Sequence, residues 1–165
     1  MSEKSIVLDA NILIRAVLGR RVRDLIVDNS LSVGFFAPDV AYADARKYLP
    51  PLLNKRGIPS FEPMRLLHDL ETLVQVVDVD SYVGSKELAL QRIAIRDADD
   101  WPVLACALVL DCPIWTEDAD FFGAGVATWT SNRIALYLKS SSRTECQAPL
   151  APLTALREGP GGYDF

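Results

Sequence analysis

Two periods alternate along this chain. Short runs rich in β-branched and other apolar residues, the mark of buried strands, are separated by stretches in which apolar positions recur at helical spacing. Residues 5–8 form the first run, which ends at Asp9. Residues 11–18 follow with Ile12, Leu13, Ala16 and Val17 on one helical face and Gly19 as a stop. Residues 20–30 repeat the helical pattern through Val22, Leu25 and Ile26, and residues 32–37 return to strand character. Pro38-Asp39 opens a helix carrying Val40, Ala41, Tyr48 and Leu49, which Pro50-Pro51 is expected to disturb, with 52–56 continuing beyond a kink.

After a turn at 57–60, residues 62–73 place Leu66, Leu67, Leu70 and Leu73 on one face, and 74–79 reads as a strand. Residues 81–95 are helical by pattern, with Val83, Leu88, Leu90 and Ile93 as the expected inner positions. An acidic turn at 96–100 leads into 101–110, apolar on nearly every side and therefore expected to lie buried under a sheet. Short strands at 113–116 and 126–129 and a helix at 132–139 complete the series. Such alternation predicts an α/β fold of three layers, α/β/α, with a mostly parallel central sheet. In sheets of that kind ligands sit beyond the carboxyl ends of the strands.

At 165 residues the chain is the size of one domain. Residues 1–139 are assigned to it, and the Ser-, Pro- and Gly-rich segment 140–165 is expected to be a loosely ordered tail. No apolar run reaches the roughly 18 residues of a transmembrane helix. The first residues lack a secretory pattern, so a cytoplasmic protein without membrane association is expected. Three cysteines, Cys106, Cys112 and Cys146, show no metal-knuckle spacing and do not suggest a disulfide framework. A net charge of −5 argues against coating nucleic acid by bulk electrostatics, though it leaves room for a local site.

The acids change the picture. Asp9 ends the first strand, Asp118 lies just past the strand 113–116, Asp100 precedes the buried helix, and Asp44 lies within the helix after the second strand. Each has an ordinary reading: a helix cap for Asp9 or Asp100, a solvated loop acid for Asp118, a surface residue for Asp44. Taken together they are more than caps require, and carboxylates converging on one rim repel unless a hard divalent cation such as Mg²⁺ or Mn²⁺ neutralises them.

The residues Ile6-Val7-Leu8-Asp9-Ala10-Asn11-Ile12-Leu13-Ile14, Asp99-Asp100-Trp101-Pro102-Val103-Leu104-Ala105-Cys106-Ala107-Leu108 and Trp115-Thr116-Glu117-Asp118-Ala119-Asp120-Phe121-Phe122 resemble, in order and separation, the acidic motifs of PIN domains. The likeness spans roughly residues 5 to 138. It implies the PIN-like fold and a Mg²⁺- or Mn²⁺-dependent ribonuclease acting on single-stranded RNA. Catalysis would fall to Asp9, Asp44, Asp100 and Asp118, and metal binding to Asp9, Asp100, Asp118 and Asp120. Asn11 and Thr116 would orient the ligands. The family's second acid is usually Glu, and here Asp44 stands in its place. Asp39 is read as a helix cap, with Asp97 and Asp99 as auxiliary ligands. Resemblance to family members of toxin type further implies an antitoxin partner protein and a homodimer.

Arg15, Arg20 and Arg21, with Arg23, Lys47, Lys55 and Arg56, are candidates for tracking a phosphate backbone; the competing reading is a solvated face or ion pairs with Asp24 and Asp28. His68 is the one histidine, which rules out paired-histidine RNase chemistry, and it lies far in sequence from Asp9, Asp44, Asp100 and Asp118. Two other readings compete with the nuclease: a non-catalytic PIN-like module that binds nucleic acid or protein, and a phosphatase using Asp9 as covalent nucleophile. The second is disfavoured, because Asn11 replaces the second acid of the usual Asp-x-Asp arrangement.

Overall fold

The computed structural model describes residues 4–140, and the expected tail lies outside them from residue 141 onward. Strand β1 (Lys4–Leu8) leads into helices α1 (Ala10–Leu18) and α2 (Arg20–Asn29), strand β2 (Val33–Pro38), and helices α3 (Asp39–Lys55) and α4 (Phe61–Leu70). Strand β3 (Val74–Val77) is followed by the short α5 (Val79–Tyr82), a 3-10 turn, α6 (Lys86–Ile93), a second 3-10 turn and α7 (Trp101–Leu110). Strand β4 (Ile114–Trp115), a third 3-10 turn, β5 (Thr128–Trp129) and α8 (Ile134–Lys139) end the described chain.

Among the described residues the strands form one sheet in the order β3-β2-β1-β4-β5, parallel at every pairing. Successive strand side chains point to opposite faces, and the core divides accordingly. Ile6, Leu8, Phe35 and Trp115 pack with α1, α2, α3, α4 and α8 on one face. Val7 and Ile114 pack with α5, α6 and α7 on the other. The result is the three-layer α/β/α arrangement expected. Helix α7 is buried from Pro102 through Ala107, as its all-round apolar sequence requires.

Two segments depart from expectation. Residues 81–95 are not one helix, because Val83–Ser85 is a 3-10 turn that separates α5 from α6. Gly84-Ser85, both poor helix formers, stand at the break. The register therefore resets: Tyr82, Ala89 and Ile93 are buried, while Val83 and Leu88 are exposed at 46% and 44%. Conversely, α3 runs unbroken through Pro50 and Pro51. The carbonyls those prolines leave without a donor belong to Arg46 and Lys47, both exposed, so water can serve them.

Candidate functional site

The register places Leu8 of β1 opposite Trp115 of β4, so Asp9 and Thr116 emerge side by side at the carboxyl rim of the sheet. Asp9 is buried, at 6% exposure, and both of its oxygens are held. Oδ1 accepts from the Ile12 amide at 3.0 Å, capping α1, and Oδ2 accepts from the Thr116 hydroxyl. Thr116 Oγ1 in turn accepts from the Asp118 amide at 3.0 Å, which links the two acids through one hydroxyl. The cap reading of Asp9 and its place in an acidic group are thus compatible. Each carboxylate oxygen keeps a second lone pair for another partner.

The remaining acids stand on two similar turns. Asp97 caps a 3-10 turn at Ala98–Asp100 by accepting from the Asp99 amide at 2.9 Å. Asp118 caps another at Ala119–Phe121 by accepting from the Asp120 amide at 2.9 Å. Both sequences read Asp-Ala-Asp, and each turn fixes its backbone through the first acid's own side chain. The turns face each other closely enough that carboxylate oxygens of Asp97, Asp100 and Asp120 all lie within 4.8 Å of one another. Arg96 steadies the second turn by donating to the Asp120 carbonyl at 3.1 Å.

A pocket of about 180 Å³ at this rim is lined by Asp9, Asp44, Asp99, Asp100 and Asp118 together with Asn11, Val40 and Tyr48. The acids of four separate elements therefore converge. Asp44, on α3, is exposed and has no hydrogen-bond or ion-pair partner among the described residues. Asp120 is not part of that lining and reaches the group through Asp100. Asp39 is occupied elsewhere: it opens α3 and accepts from the Val79 amide at 3.2 Å and from the Tyr82 hydroxyl.

The electrostatics reflect this crowding. Burial pushes the Asp9 carboxyl up to about 6, against the pull of the Thr116 and Ile12 hydrogen bonds, with Asp118 and Glu117 adding repulsion. Burial pushes Asp100 up further, to about 7, and the charges of Asp97, Asp118, Asp9 and Asp120 contribute in that order. Asp100 Oδ2 is buried and has no hydrogen-bond partner among the described residues. A buried, unpartnered carboxylate oxygen among four other acids is costly in water-free surroundings, and a cation is the partner that such a donor set suits.

Beside the acids lies a groove of about 900 Å³ lined by Asn11, Arg15, Arg21, Arg56, Glu117, Asp118, Ser131 and Asn132 among others. Arg15 and Arg21 face it, while Arg20 is exposed but does not line it. No arginine of α1 or α2 forms an ion pair with Asp24 or Asp28 among the described residues. Asn11 is exposed and lines both groove and acidic pocket. Glu117 and Ser131 were not singled out from the sequence. Glu117 accepts from the Ser131 amide at 2.7 Å, and Ser131 Oγ accepts from Trp115 Nε1 at 3.1 Å, fixing the groove wall to the strand end. Only the position of Glu117 between Thr116 and Asp118 signals it in advance. His68 is exposed on α4 and lies 4.0 Å from Glu71, outside these pockets.

Comparison with known proteins agrees with this fold. The PIN domain family model matches residues 7–139. Similar solved structures include VapBC2 from Rickettsia felis bound to a DNA fragment from their promoter, at 12% identity and a TM-score of 0.53, covering 76% of this chain and 98% of the other. Another is VapBC-1 from nontypeable Haemophilus influenzae, at 18% identity and a TM-score of 0.51, covering 78% and 98%. No curated protein matches the sequence.

Proposed function

The chain belongs to the PIN domain family, and from that premise we propose that it is a metal-dependent endoribonuclease whose acidic rim hydrolyses phosphodiester bonds of single-stranded RNA. The observation that carries the reading is Asp100 Oδ2, buried without a partner where carboxylates from four elements meet. The all-oxygen donor set fits Mg²⁺ or Mn²⁺: Asp97, Asp100 and Asp120 stand within ligating reach of one another, and Asp9 and Asp118 line the pocket beside Asp100. Such an ion supplies Lewis acidity, activating water and stabilising the leaving oxygen of the phosphodiester.

The chain's own residues do the positioning. Thr116 and the Ile12 amide leave Asp9 one orientation, and Thr116 hands the same constraint on to Asp118. Asp44, exposed and without a partner among the described residues, is free to orient water through a hydrogen bond. Arg15, Arg21 and Arg56 line the groove that leads away from the acids and pair with successive phosphates. The resemblance to toxin-type PIN domains extends the proposal to an antitoxin partner that covers the rim and to a homodimer. That the two similar structures are VapBC2 and VapBC-1 supports the antitoxin partner.

The test is cleavage of matched single-stranded RNA and DNA by the purified chain in Mg²⁺, Mn²⁺ or EDTA, beside Asp9→Ala and Asp100→Ala. Metal-dependent RNA cleavage, lost in both folded variants and in EDTA, is the expected result. Cleavage that persists in the variants overturns the assignment. A folded wild type that binds metal and RNA without cutting favours the non-catalytic binding module instead.

A further inference from the structure

A third pocket, of about 510 Å³, is lined by Asn11, Ile14, Tyr48, Pro51, Leu52 and Lys55, none of them an acid. Its walls are mostly apolar, and its volume falls within the roughly 300–1,000 Å³ of small-ligand sites. Its position is what makes it informative. It shares Asn11, Ile14 and Tyr48 with the acidic pocket and Asn11, Ile14 and Leu52 with the arginine groove, so it adjoins both.

Tyr48 is a large aromatic side chain left 49% exposed on α3, one helical turn beyond Asp44. Its hydroxyl has no hydrogen-bond partner among the described residues, and the Lys47 ammonium lies 5.1 Å from its ring centroid. Lys55, at the end of the same helix, also lines the pocket. An apolar floor with an aromatic ring, flanked by cations and opening onto a phosphodiester-cleaving centre, matches a nucleobase attached to its phosphates. A base within a duplex is covered by its stacked neighbours and cannot reach the ring, so the pocket selects single strands.

We infer that Tyr48 is a base-stacking platform for a nucleotide flanking the scissile phosphate, with Lys47 and Lys55 on its phosphates, and that this pocket confers preference for single-stranded substrate. The inference rests on the nuclease reading of the neighbouring acids. Tyr48 touches substrate in this account, but its contribution is to binding rather than to the bond-breaking step.

The experiment measures KM and kcat on a labelled single-stranded RNA in Mn²⁺ for wild type, Tyr48→Ala and Tyr48→Phe. It is repeated with abasic nucleotides placed in turn on either side of the cut. Tyr48→Ala should raise KM about tenfold or more, the scale of losing one base–aromatic stack, with kcat little changed. Tyr48→Phe should retain the wild-type KM, and one abasic position should reproduce the loss in wild type while adding nothing in Tyr48→Ala. An unchanged KM in Tyr48→Ala, additive losses, or equal affinity for the duplex of the same sequence overturns the proposal. An unchanged KM is also the result if the pocket instead receives a side chain of a partner protein. If wild type cuts nothing, the nuclease reading has failed; the same variants and abasic strands are then compared by fluorescence anisotropy in EDTA, where Tyr48-dependent binding supports the platform and Tyr48-independent binding or none overturns it.

Discussion

Asp100 concentrates the energetics of the rim in one side chain. Its carboxyl is raised to about 7 and that of Asp9 to about 6, both from an ordinary 3.8. Between those values the folded, metal-free protein holds protons that the unfolded chain has released. The stabilisation is therefore complete below about 3.8 and is lost as pH rises through about 6 and then about 7. Thermal melts in EDTA should show Tm falling from pH 5 to pH 8, and saturating Mg²⁺ should flatten that slope by stabilising the charged form; a Tm that rises with pH would contradict the burial argument. Asp100→Asn removes the repelled charge at almost constant shape, so it should raise the metal-free Tm at pH 8 by about 2–4 °C per kcal/mol relieved, while abolishing cleavage. Thr116→Val deletes both the donor to Asp9 and the acceptor for the Asp118 amide. A loss of about 10–100-fold in metal affinity or activity is expected, the usual cost of removing a partner that orients a ligand, and metal titration of the folded variant checks it.

At the scale of elements, the site depends on loops whose shape is set first by local hydrogen bonds. The two Asp-Ala-Asp turns are self-capped, and Gly123 and Gly125, which follow the second, lie at φ of 83° and 86°. A Cβ on Gly123 would sit 3.2 Å from the Arg96 guanidinium, the group that supports Asp120. Gly123→Ala should therefore destabilise the fold by about 1–2 kcal/mol for its left-handed backbone alone, readable in urea denaturation, and should weaken metal binding as well. This level also separates what the sequence discloses from what it does not. β1, β2, α1 and α7 are legible because a strand run ending in an acid, or ten apolar residues between an acid and a turn, admits few other readings. The break at 83–85 and the continuity of α3 through Pro50-Pro51 are not, since each depends on whether tertiary contacts or water satisfy the backbone. The grouping of Asp9, Asp44, Asp100 and Asp118 follows from the sheet's parallel order. The closeness of Asp97 to Asp120 and the role of Glu117 need the turns in three dimensions.

Taken whole, the molecule carries −5 in formal charge yet sets Arg15, Arg21 and Arg56 along one groove beside its acids. Binding of single-stranded nucleic acid should accordingly fall with salt, and each arginine removed should reduce the slope of log K against log[salt] by about 0.7 if it pairs with one phosphate. Arg20→Ala, outside the groove lining, should leave the slope nearly unchanged. Among the described residues no helix is long and apolar enough to cross a membrane. Whether the acidic rim is a cation centre is read most directly by calorimetric titration of the metal-free protein with Mn²⁺, wild type beside Asp100→Asn. Saturable binding that weakens at least about tenfold in the folded variant is the result predicted for a cation centre built on Asp100. Equal affinity in both proteins, or no binding by wild type, would contradict it.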